Sequence, residues 1–187
     1  LSNGYMPADF NWPKTKEAVR KIKERLERQL EVATTAILTR ATPYAAQGTD
    51  FKHRYPKENF EDVGDFDGLA YWPETNQWVI TECKYNQPAF CLKDARRLRD
   101  RIFGTTANKG QFDKIGRRRE FLFDNIGKIL TCLGWPTPPI GLQPTLHELY
   151  VSRYIYWWMR NPPYTVPSHF VRVDHLDNWL RGQGLLK

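Results

Sequence analysis

Residues 63–85 read VGDFDGLAYWPETNQWVITECKY, and their patterning decides the fold. The two ends of this stretch, 63–72 and 77–85, are rich in aromatic and β-branched residues, the composition of strands. Between them Pro73-Glu74-Thr75-Asn76 has the chemistry of a hairpin turn. Side chains two apart on a strand share a face, so Glu82 and Lys84 project together while Cys83 points the other way. The antiparallel neighbour carries Asp67, which the hairpin can set beside Glu82.

Working outward, Val19, Ile22, Leu26, Leu30, Ala33 and Ile37 recur at three- and four-residue steps. That spacing predicts a helix from about 15 to about 40 with one buried stripe, Thr15 as its N-cap, and an irregular lead-in over 1–14. A first short strand is expected over 49–55. After the hairpin come basic helices over about 93–103 and 112–130, separated by a loop around 104–110. The Pro/Gly-rich run 134–144 leads to a strand near 149–159, then to 166–173 and a short terminal helix, 176–181. The order α, β, β, β, α, β describes an α/β chain: a mixed central sheet flanked by helices. Neither a repeat nor a linker divides residues 1–187, so one domain is expected.

Asp67 and Glu82 are oxygen ligands suited to a hard divalent cation, with the Lys84 ammonium beside them. Burying the three without a ligand is costly, because two close carboxylates repel and Lys84 compensates only one. A bound Mg²⁺ would resolve that imbalance. It would also polarise a phosphodiester oxygen and lower the pKa of a bound water, while Lys84 orients the water or stabilises developing charge. A second Asp-x-Lys, Asp50-Phe51-Lys52, is discounted: no acidic strand precedes it, and Pro43 and Gly48 lie just before it.

The chain has 187 residues, 41% hydrophobic and 26% charged, the balance of a soluble globular protein. Its net charge is +7, and residues 93–128 carry eleven Lys/Arg against five acids. By contrast, residues 58–83 hold seven acids and no Lys, Arg or His. A carboxylate-rich segment flanked by basic helices suits a cation site facing a polyanion; the alternative is two solvated faces of opposite sign. Cys83, Cys91 and Cys132 form no C-x-x-C pair, which points to a reducing, cytoplasmic setting. No run of about 18 apolar residues is present, so no membrane partner is expected. The chain opens on Leu1 rather than methionine, from which we expect a domain excised from a longer protein.

Gly64-Asp65-Phe66-Asp67-Gly68-Leu69-Ala70, followed by Val79-Ile80-Thr81-Glu82-Cys83-Lys84, resembles the PD-(D/E)XK, or restriction-endonuclease-like, nuclease superfamily. Many members read Gly-acid-apolar-Asp-x-apolar, a turn, then an apolar strand ending in Glu-x-Lys. The likeness covers about 15–160 in outline, with its motifs confined to 64–84. It implies a restriction-endonuclease-like core, Asp67 and Glu82 as metal ligands, the Cys83 carbonyl as a third, and Lys84 as the catalytic lysine. The proline of the family name is absent; Phe66 stands before Asp67. The family often adds a glutamate from the first helix. Glu31 is the choice, since Ile37 and Leu38 follow at the usual distance; Glu27, nearer the edge of the Leu26 stripe, is the rival. Both could equally be surface acids paired with nearby Arg and Lys.

The resemblance implies an endonuclease that hydrolyses phosphodiester bonds in DNA with Mg²⁺ or Mn²⁺, in microbial antiviral defence or DNA processing. The alternatives are a catalytically silent nucleic-acid-binding module of the same fold, and an RNA-cleaving member. DNA, a regulatory domain or partner chain, and a second copy in a homodimer are the expected partners. Arg117, Arg118 and Arg119, with Lys114 and Lys109, are candidates to grip phosphates, weighed against an ordinary solvated helix face. The cluster Arg96, Arg97, Arg99 and Arg101 is weighed the same way. Tyr150, Tyr154, Tyr156, Trp157 and Trp158 could stack on bases, but core packing is expected. Asp65-Phe66-Asp67-Gly68 lacks the further ligands of a calcium loop, and Asp65 is expected on the opposite strand face. The four histidines show no zinc spacing, and there is no phosphate-binding glycine loop for ATP.

Overall fold

The computed structural model describes residues 12–86, 89, 91–105, 110–162 and 166–187. Of the expected lead-in, residues 1–11 lie outside these, and Pro13 and Lys14 belong to the first helix, α1, Pro13–Ala41. Trp12 is its N-cap, and Pro13 fills the first helical position, where its missing N–H costs nothing. Pro43 ends it by forcing Thr42 into extended backbone. The buried stripe runs by fours through Leu30, Thr34 and Leu38. Ala33 and Ile37, expected there, are exposed and half-buried. Thr34 is tolerated inside because its hydroxyl accepts from the Cys83 thiol at 3.5 Å.

The first strand, β1, is Ala45–Thr49, earlier than the expected 49–55. Residues Phe51–Arg54 instead form a helical turn, α2, because the Asp50 carboxylate caps it by accepting from His53 N at 3.1 Å. The decisive hairpin forms as expected: β2, Phe66–Trp72, pairs antiparallel with β3, Gln77–Lys84. Its turn closes on Asn76 at φ 50°, a left-handed conformation that asparagine tolerates. The Asn76 amide then bonds Leu142 O and the Trp78 indole.

Helices α3, Leu92–Phe103, and α4, Gln111–Leu133, follow. The strand expected at 149–159 is β4, Thr145–Ser152, and its aromatic continuation bends away into a single turn, α5, Trp157–Arg160. That bend is a packing event: Trp158 and Met159 leave the sheet to join a cluster with Leu98, Ile102 and Ile115 of α3 and α4. The chain closes with β5, Ser168–Arg172, and α6, Leu176–Gly182.

The five strands stand in the order β1-β2-β3-β4-β5, with β1, β2 and β3 antiparallel neighbours and β3, β4 and β5 parallel. Helices cover both faces. On one, Val79, Cys83, Leu149 and Val151 pack against Leu30 and Leu38 of α1 and Leu176 and Leu180 of α6. On the other, Leu69, Tyr71, Trp78 and Ile80 pack against Phe121, Leu122 and Ile129 of α4. Central β3 is therefore buried on both sides, which explains its unbroken apolar run before Glu82. Among the described residues no helix is long and apolar enough to cross a membrane.

Candidate active site

Glu82 and Lys84 close the central strand, and Asp67 stands one position beyond the Gly68–Thr81 pair, opposite Glu82. Gly68 permits this close approach. A Cβ there would fall 2.5 Å from Thr81 Oγ1 and 3.4 Å from Leu38. Cys83 turns to the α1 side, as strand alternation requires, and burial pushes its thiol up to about 12, leaving it inert at neutral pH.

Three oxygens surround one ammonium. Lys84 Nζ lies 2.8 Å from Glu82 Oε1, 3.2 Å from the Cys83 carbonyl oxygen and 3.5 Å from Asp67 Oδ2. Asp67 Oδ2 also accepts the Cys83 backbone N–H at 2.6 Å. Both carboxylates are 4% exposed. Burial, then repulsion from Glu82, pushes the Asp67 carboxyl up to about 7. Burial opposes the Lys84 charge, but Glu82 and Asp67 outweigh it and hold the ammonium above its ordinary range. The two effects are consistent, because Lys84 lies nearer Glu82 than Asp67 and shields Asp67 less.

The expectation that this group is one positive charge short is corrected by Arg118. Its guanidinium reaches from α4 and donates through Nη1 to Glu82 Oε2, and through Nε to Val63 O at 3.3 Å. Asp65, exposed just before β2, lies 3.9 Å from the same guanidinium. Two buried carboxylates thus face two cations. Gly64, at φ 77°, makes room: a Cβ there would meet Arg118 Nη2 at 3.3 Å. The sequence did hold a signal for this residue. Arg118 falls on the buried stripe of α4 between Ile115 and Phe121-Leu122, so the Arg117-Arg118-Arg119 run could not lie wholly on a solvated face.

The other candidates scatter. Arg119 turns inward to Glu148 at 2.8 Å, and Ser168 donates to the same carboxylate. Arg117 is exposed beside Glu61 and donates to Asp62 O, while Lys114 is exposed. Lys109 lies outside the described residues. Glu31 is half-buried, and burial raises its carboxyl; Lys84 pulls the other way, while Asp65, Glu27 and Glu82 add to the rise. It therefore shares the site's field. Among the described residues no three His, Cys, Asp or Glu side chains stand together as a metal-holding group. Glu27 pairs with Lys23 at 3.7 Å. The discounted Asp50-Phe51-Lys52 lies apart: Asp50 caps α2, Phe51 is core, and Lys52 pairs with Asp62.

Tyr150, level with Glu82 on β4, was read as core packing and is fully buried. It also carries a polar chain beside the site, accepting from the Asn86 amide at 3.2 Å and donating to Gln111 at 2.7 Å. Trp158 is core, whereas Trp157 is 74% exposed.

As a donor set, two carboxylates and a carbonyl facing one cation suit a hard divalent metal. The arrangement can bind such an ion once Lys84 yields its place, and can then present an ammonium beside it. No family model, curated protein or solved structure matches the chain.

Proposed function

We propose that the chain is a metal-dependent nuclease of the PD-(D/E)XK kind, hydrolysing phosphodiester bonds in DNA. One observation carries the reading: Asp67, Glu82 and the Cys83 carbonyl turn their oxygens toward a single cation, the Lys84 ammonium. With the single turn α2 set aside, the order α1, β1, β2, β3, α3 and α4, β4 supports the restriction-endonuclease-like assignment.

In this reading Asp67, Glu82 and the Cys83 carbonyl would hold Mg²⁺ or Mn²⁺, which would supply Lewis acidity toward a phosphoryl oxygen and a water. Lys84, beside the carboxylates, would donate to the charge that develops on the phosphate. Arg118 occupies the second Glu82 oxygen and fixes that carboxylate's orientation, so it acts as a positioning residue. Glu31, whose carboxyl shares the field of Lys84 and Glu82, is the helix-1 acid of this reading.

Plasmid incubated with the protein and Mg²⁺ tests this. Cleavage should fall at least a hundredfold in Lys84→Ala and Asp67→Ala, and more in Glu31→Ala than in Glu27→Ala. Labelled RNA and DNA compared under the same conditions decide the substrate. A second reading, a silent nucleic-acid-binding module, is favoured by the charge balance that Arg118 completes without a metal. Binding with no cleavage in any divalent metal would establish it in place of the first.

A further inference from the structure

Arg118 and Arg119 point inward, so much of the basic run on α4 is unavailable to a polyanion. Exposed arginines stand elsewhere. Because β3, β4 and β5 run parallel, their carboxyl ends share one edge, and the register sets Lys84 beside Ser152 and Ser152 beside Arg172. Adjacent strands are about 4.8 Å apart, so the Arg172 backbone lies about 10 Å from that of Lys84. Ligands of open α/β sheets bind at such an edge.

Three adjoining hollows run along it. The first, ≈ 200 Å³, is lined by Leu26, Leu30 and Ala33 of α1 with Tyr85, Val173 and one arginine, Arg153. The second, ≈ 360 Å³, shares Arg153 and Val173 and adds Tyr154, Arg172 and the carboxylate of Asp174. The third, ≈ 400 Å³, shares Arg172 and adds Arg160. Arg153, Arg160 and Arg172 are exposed. Arg172 is shared with Asp174, whereas Arg153 and Arg160 have no ion-pair partner among the described residues. Trp157, three residues before Arg160, lies on the same side of α5 and offers its ring to solvent.

We propose that this trough is the track of an unpaired nucleic-acid strand leaving the candidate active site. Its phosphates lie on Arg153, Arg172 and Arg160, and a base stacks on Trp157. A row of hollows joined by arginines fits a chain of repeating anions, and a solvent-facing ring beside an arginine fits a free base rather than a paired one. The inference takes the strand's point of departure from the nuclease reading; its test does not.

Binding is measured by fluorescence anisotropy in EDTA, where no metal-dependent cutting occurs, with a labelled single-stranded oligonucleotide and the corresponding duplex. The full chain should prefer the single strand. Arg153→Ala/Arg160→Ala/Arg172→Ala should weaken that binding at least tenfold and reduce the salt slope by about 2, since each single-strand phosphate contact contributes about 0.7. Trp157→Ala should weaken it about fivefold or more with the slope unchanged. If the triple variant does not fold, Arg153→Glu alone should still cost about tenfold. Unchanged binding and slope in the arginine variants overturn the proposal, as does equal affinity for duplex with a silent Trp157→Ala. Losses seen only in Lys114→Ala/Arg117→Ala would also overturn it, by returning the track to α4. A wild-type protein that binds as described yet never cuts with Mg²⁺ sinks the nuclease reading and leaves the track standing.

Discussion

Arg118→Met keeps much of the side-chain volume between α4 and β3 and deletes its charge. Arg118 is 8% exposed and Glu82 4%, so neither group recovers hydration when its partner is lost. The bond to Glu82 goes, and so does the bond to Val63 O at 3.3 Å. Removing one member of a buried pair costs about 3–5 kcal/mol, because the survivor keeps its desolvation penalty. Lys84 remains 2.8 Å from Glu82, which places the expected loss at the lower end. At about 2–4 °C per kcal/mol for a domain of this size, Tm should fall by about 6–12 °C. Urea unfolding in EDTA, followed by tryptophan fluorescence, measures the loss directly. Saturating Mg²⁺ then separates a structural role from a positioning one. If Glu82 ligates the ion, the metal replaces the missing charge, and Arg118→Met gains more stability from Mg²⁺ than the wild type does. A loss below about 1 kcal/mol would refute the buried pair. Equal Mg²⁺ gains in both proteins would refute the link between Arg118 and the cation site.

Three further outcomes follow from the geometry. The Asp67 carboxyl is held at about 7 when folded against 3.8 unfolded, so the folded state binds the extra proton. Its stabilising effect is therefore full below about pH 4 and fades as pH rises through about 7, on the order of 4 kcal/mol in all. Asp67→Asn should flatten this part of the stability–pH curve measured in EDTA, and an unflattened curve assigns the slope to other groups. Gly68→Ala should destabilise by about 1–3 kcal/mol through the 2.5 Å clash with Thr81 Oγ1, and Thr81→Ala in the same chain should recover part of it in thermal melts. Asp50→Ala should cost about 1 kcal/mol as a lost helix cap, while Lys52→Ala leaves plasmid cleavage unchanged. Loss of cutting in Lys52→Ala would mean that the wrong Asp-x-Lys has been chosen.

The hairpin and its three charged residues were legible in the sequence because a local rule governs them. Strand alternation and one turn suffice to bring Asp67, Glu82 and Lys84 together, and no distant information is needed. The first helix was legible for the same reason, from its apolar period. What sequence patterning missed depends on tertiary partners. Arg118 was read with Arg117 and Arg119 as a phosphate grip or a solvated helix face because its partner, Glu82, is 36 residues away on another element. Its place on the buried stripe was readable, but burying an arginine makes sense only once that carboxylate is known. The end of β4 was misplaced because Trp158 and Met159 are as strand-like as Tyr150 and Val151, and only the cluster with α3 and α4 diverts them. The strand expected at 49–55 gave way to the Asp50 cap, a side-chain hydrogen bond that outweighs β-propensity over four residues. Thr34 took the place expected for Ala33 because the Cys83 thiol satisfies its hydroxyl.

Crystals of the protein soaked in Mn²⁺ and measured at the manganese edge test the central claim most directly. A single strong anomalous peak between Asp67, Glu82 and the Cys83 carbonyl, with the Lys84 ammonium moved aside, is the predicted result. Lys84 still seated among those three oxygens at saturating Mn²⁺, with no peak there, would contradict it.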